Sequence, residues 1–166
     1  MKLDEVQLAL SQIDNEKILK LIDLVDSHDK IMILGNGGSN SIASHISQDY
    51  TKQLNKRAFS FSDPSRLTCY INDYGMQRAY AQFVEEFADE DTLVILISSS
   101  GNSENIVRAA RVCCESGIVF VTLTGFDQLN RVNTEFSEDA ELNFWVDSSS
   151  YGVVECVHQI ILHTPA

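Results

Sequence analysis

The fold of this chain is decided by the stretch Thr92-Leu93-Val94-Ile95-Leu96-Ile97-Ser98-Ser99-Ser100-Gly101-Asn102-Ser103. Its first half is a continuous apolar run, which is typical of a strand buried on both faces of a parallel sheet. Its second half holds four serines and a glycine and precedes a helical pattern at 105–112, so it predicts a turn from a strand into a helix. A helix N-terminus offers unpaired N–H groups and the positive end of the helix dipole to an anion such as phosphate. Serines also cap helices, so an ordinary capping loop stays an alternative.

A second turn of similar character follows the apolar run 30–34 and reads Gly35-Asn36-Gly37-Gly38-Ser39. A dinucleotide fingerprint would need Gly or Ala at the position of Asn40, and a P-loop would need a Gly-Lys pair that the turn lacks. Both cofactor classes are therefore excluded here. The glycines still allow a ligand to approach the backbone closely.

Strand and helix patterns alternate along the rest of the chain. Further strands are predicted at 58–61, 119–123 and 140–146, and helices at 40–53, 76–87, 105–116 and 153–163, while 63–65 is predicted as a turn and 69–75 as a loop. Alternation of this kind indicates a single-domain α/β fold, a doubly wound parallel sheet in a flavodoxin-like three-layer sandwich with ligands at the carboxyl ends of the strands. Residues 3–27 are helical in pattern, as two short helices or one bent one. We expect residues 1–28 to serve oligomer packing and 29–166 to form the domain.

Composition narrows the range of functions. The net charge is −12, from 12 basic and 24 acidic residues, which argues against direct binding to nucleic acid or to an anionic membrane. No apolar run approaches the length of a membrane span, and the N-terminus lacks a leader pattern, so we expect a cytoplasmic protein. The four cysteines form no C-x-x-C pair and are interpreted as reduced thiols.

Titratable residues that could bind a metal or transfer protons fall on two of the predicted helices. His45 and Asp49 lie four residues apart and share a helix face, where they could hold a metal or act as an acid/base pair. The last helix carries Glu155, His158 and His163. Spacing alone does not choose between His158 and His163, and a hydrogen-bonded or structural role stays open for each of these residues.

Four short motifs together resemble the SIS (sugar isomerase) domain family, and within it the phosphoheptose isomerases. The resemblance covers about residues 30–163 and rests on Gly35-Asn36-Gly37-Gly38-Ser39, Asn72-Asp73, Ser98-Ser99-Ser100-Gly101-Asn102-Ser103 and Leu123-Thr124-Gly125, in that order and spacing. It implies conversion of sedoheptulose 7-phosphate into D-glycero-D-manno-heptose 7-phosphate, early in bacterial heptose synthesis for lipopolysaccharide or capsule. It also implies a homotetramer whose sites are built between subunits.

The resemblance assigns roles residue by residue. Phosphate would be bound by Ser98, Ser99, Ser100 and Ser103, and the sugar by Asn36, Gly37, Gly38, Ser39, Asn72, Asp73 and Glu155. Zinc would be held by His45, Asp49, Glu155 and His163. Asp49 stands where the family has Glu, Glu155 where it has Gln, and Gly152 where it has a substrate-contacting Asp.

The catalytic hypothesis that follows makes Asp49 the base and His163 the acid, with Glu155 as the reserve base. A different class stays open, because some proteins with this domain bind sugar phosphates or associate with the bacterial replication initiator without catalysing a reaction. Two histidines and two carboxylates at the expected positions favour an enzyme.

Overall fold

A five-stranded parallel sheet forms the centre of the computed structural model, which describes residues 2–166. The strands are β1 (Lys30–Gly35), β2 (Arg57–Ser60), β3 (Thr92–Ser98), β4 (Phe120–Gly125) and β5 (Leu142–Val146). Their order in the sheet is β2-β1-β3-β4-β5, and every neighbouring pair is parallel. This is the flavodoxin-like order of a doubly wound sheet. The predicted fold class is therefore confirmed.

Within the described residues, eight helices surround the sheet. They are α1 (Leu3–Ser11), α2 (Asn15–Ser27), α3 (Gly38–Leu54), α4 (Pro64–Tyr74), α5 (Ala79–Phe87), α6 (Glu104–Ser116), α7 (Arg131–Phe136) and α8 (Tyr151–His163). None of those in the described range is both long and apolar enough to cross a membrane.

Two hydrophobic cores lie on opposite faces of the sheet. Alternate residues of β1 point to opposite sides, so Ile31 and Ile33 join the core that includes α1, α2, α3 and α8. Met32 and Leu34 join the core that includes α5, α6 and α7. All seven residues of β3 are buried, because helices cover both of its faces. This explains the unbroken apolar pattern of that strand.

The N-terminal segment forms two helices, and its apolar residues contribute to the first core. Asp14 accepts a hydrogen bond from the backbone N–H of Glu16 and begins α2. Leu21 and Val25 are fully buried in the core beneath α2. The separate role of residues 1–28 in oligomer packing stays a prediction.

One local prediction was wrong. Residues 69–75 are predicted as a loop and 63–65 as a turn, but Pro64–Tyr74 is helix α4. Asp63 accepts from the N–H of Arg66, and Pro64 occupies the first turn, where its missing N–H costs no hydrogen bond. The polar end of this segment is the exposed face of a helix.

Candidate active site

The two glycine- and serine-rich turns lie side by side at the carboxyl edge of the sheet. Gly35, the last residue of β1, is in register with Ile97 of β3. The strand order reverses between these two strands, so the turns meet at the topological switch point, where α/β sheets bind ligands. The hydroxyl of Tyr80 donates to the carbonyl of Gly35 at 2.8 Å and holds the first turn from within the core.

Three of the helix N-termini that lack a side-chain cap follow glycine- or serine-rich turns. Helices α3, α6 and α8 follow Gly37, Ser103 and Ser150, and none of these residues makes a capping hydrogen bond through its side chain. By contrast, Asp14 and Asn130 cap α2 and α7. The first N–H groups of α3, α6 and α8 are therefore left to other partners, and their dipoles favour an anion.

A cavity of about 200 Å³ lies between these N-termini. Its lining contains most of the residues predicted to bind phosphate and sugar: Asn36, Gly37, Gly38, Ser39, Ser98, Ser99, Ser100, Ser103 and Glu155, together with Ile97 and Tyr151. The hydroxyl of Ser99 is buried and has no hydrogen-bond partner within the described chain. The hydroxyls and backbone N–H groups of this lining, which contains no lysine or arginine, form a cradle of uncharged donors suited to a phosphate, with the carboxylate of Glu155 beside them.

Asn72 and Asp73 lie elsewhere. Both are exposed on the last turn of α4, where the amide of Asn72 donates to the carboxylate of Asp73 at 2.8 Å. Neither lines the cavity that contains the other predicted substrate residues.

Three of the four predicted metal ligands meet where α3 packs against α8. Oδ2 of Asp49 lies 3.3 Å from Nε2 of His45 and 3.3 Å from Nε2 of His163. The two imidazole rings are 5.4 Å apart. One ligand atom from each of the three residues lies within 4.8 Å of the others. The contact between His45 and Asp49 follows from their spacing on one helix, whereas His163 is brought in by helix packing.

The hydrogen bond of His163 determines which of its ring nitrogens is available to bind a metal. Its Nδ1 lies 2.8 Å from the carbonyl of Gln159, so Nδ1 carries the proton and donates. With Nδ1 as the donor, Nε2 faces a carboxylate oxygen, and a lone pair on Nε2 is repelled by that oxygen unless a proton or cation lies between the two atoms. A histidine that donates one ring nitrogen to a carbonyl and presents the other is the usual arrangement of a metal ligand.

Glu155 is separated from this group, which among the described residues contains only His45, Asp49 and His163. It precedes His163 by two helical turns, about 12 Å along the axis of α8. Its carboxylate lies against Gly38, so close that a β-carbon at that position would be 2.5 Å from Oε1. Glu155 therefore contributes to the wall of the anion cavity.

His158 and His163 have different environments. His158 is fully buried, and its Nε2 donates to the carbonyl of Thr124 at 3.0 Å. Burial lowers the pKa of His158 to about 4, so the ring is neutral at physiological pH. Of these two histidines, only His163 contacts Asp49. Their spacing in the sequence did not distinguish them.

Two residues at this edge were not predicted as site residues from the sequence. Tyr151 begins α8 and lines the cavity, and the only signal for it is its position after a serine-rich segment. Asn105, near the start of α6, exchanges hydrogen bonds with Asn36. The sequence contains no signal for this contact, because the partners come from different βα units.

Comparison with known proteins identifies the family of this chain and agrees with its fold. The SIS domain family matches residues 3–125. The phosphoheptose isomerase of Fusobacterium nucleatum subsp. nucleatum is 33% identical over 156 residues, covering 90% of this chain and 78% of that protein. The phosphoheptose isomerase of Cytophaga hutchinsonii is 34% identical over 140 residues, covering 76% of this chain and 73% of that protein.

A solved structure supports the same architecture. The phosphoheptose isomerase of Neisseria gonorrhoeae superimposes with a TM-score of 0.86, covering 96% of this chain and 88% of that one at 24% identity. The chain belongs to the SIS domain family, and within it to the phosphoheptose isomerases.

Proposed function

We propose that this chain is an aldose–ketose isomerase that converts sedoheptulose 7-phosphate into D-glycero-D-manno-heptose 7-phosphate. The observation that carries the proposal is the alignment of two sites along α3: an anion cavity at its N-terminus and a His-Asp-His group further along. The names of the relatives from Fusobacterium nucleatum and Cytophaga hutchinsonii support the choice of substrate.

The distance between the two sites suits a long sugar phosphate. Seven residues separate Gly38 from His45, or about 10 Å along the helix axis. A groove joins the two positions and is lined by amide, hydroxyl and imidazole groups, namely Gly37, Asn40, Ser41, Ser44, His45, Gln48 and Ser62. An extended seven-carbon chain with its phosphate in the cavity reaches the His-Asp-His group with its carbonyl end, and its hydroxyls meet polar partners along the way.

The His-Asp-His group fits a divalent metal, for which we propose zinc. Two imidazoles and one carboxylate form a catalytic zinc donor set that leaves a position open, and the facing acceptor atoms of Asp49 and His163 favour a cation between them. A metal bound by His45, Asp49 and His163 would polarise the substrate carbonyl. We assign Glu155 to the substrate cavity, because it lies beside Gly38.

Proton transfer is assigned to side chains of the same group. Asp49 removes the proton from C1 of the ketose, and the resulting enediol accepts a proton at C2 to give the aldose. His163 exchanges protons with the oxygens on C1 and C2 through Nε2, because Nδ1 donates to the carbonyl of Gln159, so it acts as the acid when Nε2 carries a proton in place of the metal. Atoms and charge then balance over the reaction. The side chain of Asp49 is 15% exposed and that of His163 is 37% exposed, so both are accessible to solvent, and their neighbour His45 lines the groove. Glu155, the reserve base of the sequence-based hypothesis, lies in the anion cavity beside Gly38 and outside this group.

The proposal is tested by mixing the protein with sedoheptulose 7-phosphate in D₂O and following aldose formation and deuterium uptake at C2 by NMR. We expect Asp49→Asn to reduce kcat by about 10²–10⁴-fold, the usual contribution of a general base. Asp23→Asn, an exposed change on α2, is the matched control and should be neutral.

Two outcomes would contradict these assignments. Full activity of Asp49→Asn with loss of activity in Glu155→Gln would transfer the role of base to Glu155. A protein that binds inorganic phosphate but isomerises no five-, six- or seven-carbon ketose phosphate would be a phosphosugar-binding protein of the same family, and the enzymatic proposal would be wrong.

We further propose that the protein is a cytoplasmic homotetramer with sites built between subunits, acting early in heptose synthesis for lipopolysaccharide or capsule. The four cysteines, all within the described range, form no disulfide, which suits a reducing compartment. Leu3 and Leu8 on α1 and Leu19 on α2 are 63–75% exposed and give these helices an apolar surface for a second subunit. Light scattering during size-exclusion chromatography tests the assembly, and a monomeric mass would contradict it.

A further inference from the structure

A reciprocal pair of amides links the two turns of the anion cavity. Nδ2 of Asn36 donates to Oδ1 of Asn105 at 3.0 Å, and Nδ2 of Asn105 donates to Oδ1 of Asn36 at 2.8 Å. Asn105 is only 5% exposed. Two hydrogen bonds between the same planar groups fix both their distance and their mutual orientation.

The two partners belong to different parts of the cavity wall. Asn36 directly follows β1 and lies in the first turn, whereas Asn105 is the second residue of α6 and follows the serine turn. Asn36 lines the cavity, but Asn105 does not. Oδ1 of Asn105 also accepts from the N–H of Ile106, so its amide is anchored to the backbone of α6. Asn105 therefore acts on the cavity through Asn36.

We propose that Asn105 is a positioning residue for phosphate, which sets the spacing of the two anion-binding turns through Asn36. The inference rests on the phosphate site of the proposed function. An anion cradle made of hydroxyls and N–H groups depends on donors that are already in place, since no cation in the lining attracts the phosphate. A neutral amide pair fixes the donors of both turns without adding negative charge beside the anion.

The test measures binding of inorganic phosphate by calorimetry, with the melting temperature recorded for each variant. We expect Asn105→Ala to raise the phosphate Kd about fivefold to tenfold, which corresponds to the net loss of one or two neutral hydrogen bonds. In turnover of the ketose phosphate, KM should rise by a similar factor and kcat should stay within about twofold, because the His-Asp-His group lies elsewhere along α3.

Two further variants separate positioning from general stability. Asn143→Ala removes a different amide, which donates to Asn133 at 3.0 Å outside the cavity, and it should leave phosphate affinity unchanged. Asn105→Leu keeps a similar side-chain size and adds no charge, but it offers Asn36 neither a donor nor an acceptor, so it should also weaken phosphate binding. This variant keeps the test decisive if Asn105→Ala fails to fold.

A double-mutant cycle identifies the route of the effect. If Asn105 acts through Asn36, adding Asn105→Ala to an Asn36→Ala protein should cause no further loss of phosphate affinity. Equal losses in both backgrounds, or a lower melting temperature with unchanged phosphate affinity, would overturn the inference. Because phosphate binding needs no turnover, an inactive protein whose phosphate affinity follows this pattern would contradict the proposed reaction and leave the positioning role intact.

Discussion

Oδ2 of Asp49 lies 3.3 Å from Nε2 of His163, although the two residues belong to different helices, α3 and α8. Nδ1 of His163 is already committed as a donor to the carbonyl of Gln159. The same carboxylate oxygen also faces Nε2 of His45 at 3.3 Å. One carboxylate oxygen between two imidazoles is an arrangement that a cation stabilises.

The first prediction concerns metal affinity. His45→Ala and His163→Ala should each weaken zinc binding by more than the 10–100-fold typical of residues that only support ligands. Competition with a chromophoric chelator measures this without reference to activity. His28→Ala is the control, because His28 ends α2 and bonds to the carbonyl of Leu24. Parent-like zinc affinity in His163→Ala would show that the group is an ordinary hydrogen-bonded cluster.

A second prediction concerns the carboxylate in the anion cavity. Glu155 lies against Gly38 and lines the same cavity as the serine turn. Its negative charge repels phosphate, so Glu155→Gln should tighten phosphate binding several-fold at low salt. This gain corresponds to ~1 kcal/mol, the repulsion between two charges a few Å apart in water. Calorimetry at two salt concentrations should show the gain shrinking as salt screens the repulsion. Glu138→Gln, an exposed change elsewhere, should have no effect.

A third prediction compares two glycines with similar positive φ angles. Gly101 has φ of +62° and Gly117 has φ of +66°. A β-carbon at Gly117 meets nothing within 4 Å, whereas one at Gly101 overlaps the side chain of Asn130, which is 2% exposed. Gly117→Ala should cost about 1 kcal/mol in the free energy of unfolding, and Gly101→Ala at least ~1 kcal/mol more. Urea denaturation measures both, and equal losses would mean that Asn130 moves aside freely.

The fourth prediction concerns pH and the buried His158. Burial lowers its pKa from 6.5 to about 4, so between these values the unfolded chain binds a proton that the folded chain does not. Stability from this group is complete above pH 6.5 and is lost as the pH falls towards 4, with a slope of up to ~1.4 kcal/mol per pH unit. Urea denaturation between pH 7.5 and 4.5 should show that His158→Gln removes this slope. An unchanged slope would show that other groups produce it, and His28→Gln is the control.

Much of the fold could be predicted because its determinants are local. Apolar runs such as Thr92–Ile97 commit a segment to a buried strand, and the glycine and serine turns mark where strands end. The segment 69–75, which contains Asn72 and Asp73, is predicted as a loop because its end is polar. This prediction is wrong, because Asp63 and Pro64 begin a helix that runs to Tyr74. Capping chemistry was the signal that decided this region.

By itself the sequence determined the βα order, the two anion-binding turns and the pairing of His45 with Asp49, because strand period, helix period and turn chemistry act over a few residues. Only the tertiary structure decided that His163 joins Asp49 and that Glu155 lies beside Gly38. These contacts depend on how α3 and α8 pack on one face of the sheet. Such packing follows from strand register and core volume, which are properties of the whole chain.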